Sequence, residues 1–242
     1  MNIILFNENE VNKPLPIRDS RAIHLLKVLK MKEGDSFDVG LVDGPRGKAS
    51  IVKINRCNIQ LQCVFQEEVP QLPQVTMLIG LPRPPSARRI LRDITSQGVQ
   101  ELHFVVTDKG EESYLNSRLW SKDEYLRLVR EGAEQAFCTR QPTVSIHDSL
   151  LSCLDQLEQQ ADRLVLDNYE ASLSLGEYRP CQSYTILAVG AERGWSATER
   201  DLFRQHHFLF ANMGERVLRT ETACIAGLAI VLEKHRALST RQ

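Results

Sequence analysis

The chain has 242 residues, 42% hydrophobic and 25% charged, with 30 Lys and Arg against 31 Asp and Glu. These proportions exclude a fibrous or extensively disordered chain and allow one large domain or a small one joined to a larger. The longest stretch free of Asp, Glu, Lys and Arg, Val69 to Pro82, holds 14 residues, short of the ~20 that a membrane-spanning helix needs.

The opening residues, MNIILFNENE, bring in Glu8 and Glu10 before an apolar run of signal-peptide length can form, so a cytoplasmic protein is expected. The near-neutral charge conceals an asymmetry, because residues 1–66 hold 10 basic against 7 acidic side chains and the remainder 20 against 24. The early part reads as a small all-β module, with runs at Ser36 to Leu41, Ala49 to Ile54 and Ile59 to Phe65 separated by turn residues such as Asp43-Gly44-Pro45. One helical interruption, Arg21 to Met31, repeats apolar residues at helical spacing. The uncharged segment Val69 to Gln74, with two prolines, suits an extended connector and sets a boundary near residue 70.

Beyond the connector, strands and helices alternate. Strands are expected at Val75 to Leu81, Glu101 to Thr107, Thr143 to Ile146, Arg163 to Leu166, Tyr184 to Val189 and Phe208 to Ala211. Helices are expected at Ser86 to Gln97, Ser121 to Phe137, Leu150 to Gln160, Thr198 to Gln205 and Glu221 to Ala237, with Gly98 as the stop of the first. The pattern predicts an α/β domain over 71–242, with a largely parallel sheet covered on both faces.

The six cysteines form no C-x-x-C pair and have no histidine at zinc-ligand spacing, so they read as reduced core residues and no metal site is expected. His206 and His207, adjacent on an expected strand, would point to opposite faces and not grip one metal.

An open parallel sheet places its ligands beyond the carboxyl ends of its strands. Two loops qualify, Gly190 to Ser196 after YTILAV and Asn212 to Ala223 after FLFA. Gly190 and Gly194 let backbone approach a ligand, Ser196 with Glu199 fits a capping box, and Trp195 reads as a packing anchor. A plain strand-to-helix turn accounts for the first loop equally well. Neither the G-x-G-x-x-G fingerprint nor a G-x-x-x-x-G-K-[ST] phosphate loop occurs, which disfavours a nucleotide-dependent oxidoreductase. In the second loop Arg216 and Arg219 crowd a helix start where the macrodipole favours anions, pointing either to an anionic partner or to surface pairs with Glu215 and Glu221. Basic residues also cluster at Arg18, Arg21, Lys27 and Lys30 and at Arg83, Arg88, Arg89 and Arg92, the second set again at a helix start. A solvated face or a nucleic-acid surface fits both clusters.

The segments VGAERGWS and MGERVLRTETA resemble the paired signature I-G-P-E-G-G-[FW]-S and L-G-x-R-I-L-R-T-E-T-A of the RsmE family, and HLLKVLKMKEGD (His24 to Asp35) and EGAEQAFCTRQPTV (Glu131 to Val144) resemble two further family stretches in the family order. These are S-adenosylmethionine-dependent methyltransferases of the SPOUT superfamily that act on N3 of a uridine in 16S ribosomal RNA. The resemblance implies a small PUA-like β-barrel over 1–70, which binds RNA, followed by a SPOUT domain with a carboxyl-terminal trefoil knot. It also implies a homodimer; the small residues Ala223, Ala226, Gly227 and Ala229 of the last helix suit close approach by another helix, of a partner or of the same chain alike. S-adenosyl-L-methionine would lie against Leu187, Val189, Gly190, Gly194, Asn212, Met213, Gly214, Val217, Leu218 and Thr220. RNA, free or in the small ribosomal subunit, would lie against Arg18, Arg21, His24, Lys27, Lys30, Arg83, Arg88, Arg89 and Arg92. The chemistry calls for a cation beside the uracil ring, assigned to Arg219 or Arg216, and a proton acceptor, assigned to Glu192 or Glu221. The chain departs from the family at Ala191, Arg193 and Ser96. A noncatalytic RNA-binding or ribosome-assembly factor with the same fold is the alternative that those departures raise.

Overall fold

Alternating apolar residues in the first part of the chain build a five-stranded sheet in the computed structural model, which describes residues 2–11 and 13–239. Its strands are β1 (Ile4–Phe6), β2 (Leu15–Pro16), β3 (Ser36–Leu41), β4 (Arg46–Ile54) and β5 (Asn58–Phe65), in the order β1-β3-β4-β5-β2. Only the β1–β3 pairing is parallel. Its inward side chains, among them Phe6, Phe37, Val39, Ile51 and Ile59, form one core with Ala22 and Leu25. The helical interruption begins earlier than expected, as α1 (Ser20–Ile23) capped by the Asp19 side chain, and continues as a single π turn over His24–Val28. It ends before Met31 because Lys30 takes a left-handed φ of 55°. β1 carries no alternation, since all three of its residues are buried.

This first unit comprises Met1–Gln71 and, from much later in the chain, Ala133–Gln141. Thr139 joins it through its hydroxyl, which donates to the Gly44 carbonyl at 2.5 Å, and its carbonyl, which accepts from the Asp43 N–H at 2.9 Å.

The second unit, Leu72–Gly132 and Pro142–Gln242, holds a seven-stranded sheet. In chain order its elements are β6 (Val75–Gly80), α2 (Pro84–Gln97), β7 (Glu101–Val105), α3 (Arg118–Ser121), α4 (Glu124–Gln135), β8 (Thr143–His147), α5 (Leu150–Leu154), β9 (Asp162–Leu166), β10 (Leu173–Ser174), β11 (Thr185–Val189), α6 (Ala197–Gln205), β12 (Leu209–Asn212) and α7 (Thr220–Ser239). The strands lie in the order β10-β12-β9-β11-β6-β7-β8, every pairing parallel. Both faces are covered, as the apolar runs require. Met77 and Ile79 of β6 pack with Ile90, Leu91, Leu228 and Val231 of α2 and α7, while Leu78 and the β11 residues Ile186 and Ala188 pack with Leu154 of α5 and Phe203 of α6.

Several expectations change. The helix over Ser121 to Phe137 is broken by Asp123 at φ 53°, leaving α3 and α4 on either side. The helix from Leu150 stops at Leu154 instead of Gln160, because Glu158, Gln159 and Gln160 offer no apolar face, although Leu157 still packs into the core. His206 and His207 follow α6 in a turn, with His207 at φ 61°, and not on a strand. Cys57 and Cys181 are exposed, so the core reading of the cysteines fails for these two.

Gly227 lets α7 lie close on the sheet, since a Cβ there would stand 3.1 Å from Leu187 Cδ2 and 3.2 Å from Leu166 Cδ1. Further along, a relay ties α7 to the sheet. His235 Nε2 lies 2.6 Å from Thr185 Oγ1, which lies 2.9 Å from the Tyr178 hydroxyl, and that hydroxyl donates to Asp162 at 2.8 Å. Burial holds the His235 imidazole below the ordinary histidine range, against the opposing pull of Asp162. The unfolded chain therefore binds more protons as pH falls through about 6.5, and stability drops there. Urea denaturation at pH 7.5 and pH 5.5 is expected to show this loss, and a smaller one in His235→Gln.

Candidate functional site

The neighbouring strands β12, β9, β11 and β6 end side by side, and a cavity of about 850 Å³ opens beyond them. Its walls come from the segments that follow each strand: Arg83 and Ser86 after β6, Asp167 to Tyr169 after β9, Gly190 to Trp195 after β11 and Asn212 to Ala223 after β12. This is where an open α/β sheet receives ligands.

The loop after β11 is a tight backbone ring. A Cβ on Gly190 would lie 3.1 Å from Gly194 Cα, and Gly194 has a φ of 62° that favours glycine. A Cβ on Gly80 would lie 2.5 Å from the Ala191 nitrogen, so the bare end of β6 lets the ring settle on it. Trp195 anchors the ring from below, 1% exposed, its indole edge-on to Phe203 with centroids 4.8 Å apart. Its buried Nε1 has no hydrogen-bond partner among the described residues. The expected capping box forms, with Ser196 Oγ accepting from the Glu199 N–H at 3.0 Å and Glu199 accepting from the Ser196 N–H at 2.6 Å. Glu199 also accepts the Asp108 N–H at 3.0 Å, and Lys109 Nζ donates to the Trp195 carbonyl at 2.8 Å.

The loop after β12 turns at Gly214, whose φ is 100° and whose N–H donates to the Asn212 side chain at 3.0 Å. Arg216 and Arg219 follow, both exposed on the cavity wall with Arg193 opposite in sequence on the other loop. Among the described residues no ion pair engages these three guanidinium groups. The carboxylates beside them are held within the chain. Glu192 accepts the Arg83 N–H at 3.2 Å, and Glu221 accepts the Ser86 hydroxyl at 3.3 Å and lies 3.7 Å from Arg89. The cavity therefore combines bare cationic groups with a backbone ring and the apolar side chains of Leu166, Val189, Met213 and Leu218.

Residues 69–232 match the family model of an RNA methyltransferase domain. Over 98% of its length the chain is 36% identical to a ribosomal RNA small subunit methyltransferase E of Treponema pallidum, covering 92% of that protein. The chain belongs to the ribosomal RNA small subunit methyltransferase E family. A second member, from Borreliella burgdorferi, is 30% identical over 97% of this chain and 98% of its own. In fold, the chain is similar to a ribosomal RNA small subunit methyltransferase E from Neisseria gonorrhoeae bound to S-adenosyl methionine, with a TM-score of 0.76, 20% identity and 97% of each chain covered.

In this methyltransferase E chain the cavity gathers Arg216, Arg219, Glu192 and Glu221 together with Val189, Gly190, Gly194, Asn212, Met213, Val217, Leu218 and Thr220. Two expected lining residues lie outside it. Leu187 is fully buried mid-strand, facing Gly227 of α7, and Gly214 shapes the turn behind the wall. The arginines of α2 separate: Arg83 lines the cavity, Arg89 pairs with Glu221, and Arg92 lies 4.0 Å from Glu131. Arg88 forks onto Glu124 with two 3.0 Å bonds and holds that carboxyl below the usual carboxylate range. Acidic side chains of the same unit thus relieve the repulsion at the helix start. In the first unit Arg21 is committed to Glu10, Asp19 and the Leu5 carbonyl, an internal brace in place of a free cation, whereas Arg18, His24, Lys27 and Lys30 are exposed.

Sequence reasoning missed the segment after β9. Asp167 accepts the N–H groups of Tyr169 and Glu170, each at 2.8 Å, and the Arg200 Nε at 2.8 Å. The Arg200 guanidinium in turn lies 5.2 Å from the centre of the Tyr169 ring. The strand-end rule marked this loop as readily as the other two. Asp167 is 6% and Arg200 9% exposed, so removing Asp167 leaves the buried guanidinium only the longer contact to the more exposed Glu170 at 3.8 Å. Asp167→Ala is expected to cost about 3–5 kcal/mol in chemical denaturation, the usual loss when a buried pair is broken from one side.

Proposed function

We propose that this protein methylates N3 of a uridine in 16S ribosomal RNA, with S-adenosyl-L-methionine as methyl donor. The observation that carries the reading is one cavity that joins a glycine-bent backbone ring to three guanidinium groups that make no ion pair among the described residues. Family membership supplies the reaction class, and the SPOUT and PUA-like architectures come with it.

The residues present fit the donor. Nothing lies within 4 Å of where a Cβ on Gly194 would stand, so the backbone there is open to a ligand, and Trp195 Nε1, without a hydrogen-bond partner among the described residues, is a buried donor beside Gly190. Leu166, Val189, Met213 and Leu218 would hold its apolar surfaces, and Asn212 and Thr220 its polar ones. When bound, it supplies an electrophilic methyl group. The chain supplies charge and position. Uracil N3 bears a proton at neutral pH, so Arg219, with Arg216 beside it, stabilises the ring oxygens as negative charge develops. Among the carboxylates that line the cavity, Glu192 or Glu221 takes the proton. The RNA backbone is held by Arg83 and by the exposed Arg18, His24, Lys27 and Lys30, with the target base turned outward.

A trefoil knot in the carboxyl-terminal segment is part of the proposal. It is supported by the placing of β12 between β9 and β10 while α7 turns back onto β11 and α2. A homodimer and a cytoplasmic site of action, where ribosomal subunits are assembled, complete it.

Incubating the purified protein with the donor and small ribosomal subunits lacking the modification is expected to yield one N3-methyluridine in 16S RNA by nucleoside mass spectrometry. Arg219→Ala is expected to reduce the rate about 10²–10³-fold, the scale seen when a charge-stabilising donor is lost. A protein that binds the subunit and transfers no methyl group would overturn the assignment. In Gly80→Ala the new Cβ would meet the Ala191 nitrogen, so the ring must move. Calorimetry is expected to show donor affinity reduced about tenfold or more, equivalent to ~1.4 kcal/mol, with the circular dichroism spectrum unchanged.

A further inference from the structure

Three side chains that take no part in the cavity converge between β7, β8 and α5. His103 on β7 and His147 at the end of the edge strand β8 place Nδ1 and Nε2 respectively 2.9 Å apart, and Cys153 of α5 brings its sulfur within 4.8 Å of both. All three are at least nine-tenths buried, at 7%, 7% and 0% exposure. The histidines lie 44 residues apart in the chain, so no short-range ligand spacing marks them.

A fourth residue fixes how these atoms are used. Glu101 faces the other nitrogen of His103, Nε2, at 3.1 Å. An ionised carboxylate only accepts, so Nε2 carries the ring proton and Nδ1 turns its lone pair toward His147. An imidazole lone pair, a second imidazole nitrogen and a thiol thus meet at one point, with a carboxylate behind the first ring. That outer carboxylate is the usual companion of a metal-binding histidine.

We propose that His103 Nδ1, His147 Nε2 and Cys153 Sγ bind one zinc ion, with water as the fourth ligand. Two imidazoles and a thiolate suit zinc and not magnesium or calcium, which prefer oxygen ligands. Bonds of about 2.0–2.3 Å around a tetrahedral ion set its ligand atoms about 3.3–3.8 Å apart, so the histidine pair opens by a few tenths of an ångström and the sulfur moves in. Loading releases the thiol proton to solvent, while the His147 proton passes from Nε2 to Nδ1 and the ring stays neutral. The ion's role is structural. It ties β7 and the edge strand β8 to α5, a five-residue helix too short to persist alone.

The test uses the untagged full chain with the exposed Cys57 and Cys181 changed to serine, purified under reducing conditions without chelator. Mass-spectrometric metal analysis is expected to find about one zinc per chain, held by the three protein ligands. Replacement by Co²⁺ is expected to give a sulfur-to-cobalt charge-transfer band that Cys224→Ala keeps and Cys153→Ala loses. His147→Gln, which keeps the thiol, is expected to weaken zinc binding at least tenfold. Chelation is expected to lower the melting temperature of the parent alone. A folded parent that holds no zinc and develops no such band with Co²⁺ would sink the proposal, as would a band that survives Cys153→Ala.

Discussion

The loop after β11 can rest on the end of β6 only because Gly80 has no side chain, a Cβ there falling 2.5 Å from a backbone nitrogen. The rest of the cavity depends on that contact. With the Gly190 to Trp195 ring seated, Trp195 fills the core beneath it, Glu199 closes the capping box and reaches the loop after β7, and α6 starts in a fixed direction. The loop after β11 is thereby held by the end of β6 and by the loop after β7, so a ligand meets that wall already in place, and little binding energy goes to ordering it.

Charge is divided along the same lines. Cations that serve the fold are matched: Arg88 by Glu124, Arg200 by Asp167, and Arg21 by Glu10 and Asp19. Cations on the cavity wall at 193, 216 and 219 have no such match among the described residues. A water-accessible group of unpaired arginines repels itself, and an anionic ligand removes that cost. The departure at Arg193 adds to this charge where the family pattern has glycine, on an exposed side chain.

Much of this was legible in the sequence, for physical reasons that differ by element. The doubly covered sheet was readable because runs such as Val75 to Gly80 and Thr185 to Val189 are apolar but for one threonine each, and the capping box because Ser196 and Glu199 carry their own signal. β1, β2 and β10 were not, being two or three residues long with no room for a period. Of the site, the two glycine- and arginine-bearing loops were found from residue type. Asp167 and Tyr169 were passed over because their significance lies in Arg200, 33 residues onward. Likewise Arg21 looked like a free cation, since nothing in its neighbourhood announces Glu10 as a partner across a turn. Burial and pairing between distant residues is information that local patterns do not contain.

The excursion of Ala133–Gln141 back into the amino-terminal unit has a consequence for how the gene can be divided. A Cβ on Gly40 would collide with the Thr139 methyl group, so the first sheet is shaped around a residue encoded 99 codons later. Neither module exists as one uninterrupted stretch of coding sequence. Shuffling by a single recombination point would always leave one partner without part of its own fold, which favours inheritance of the pair as a unit.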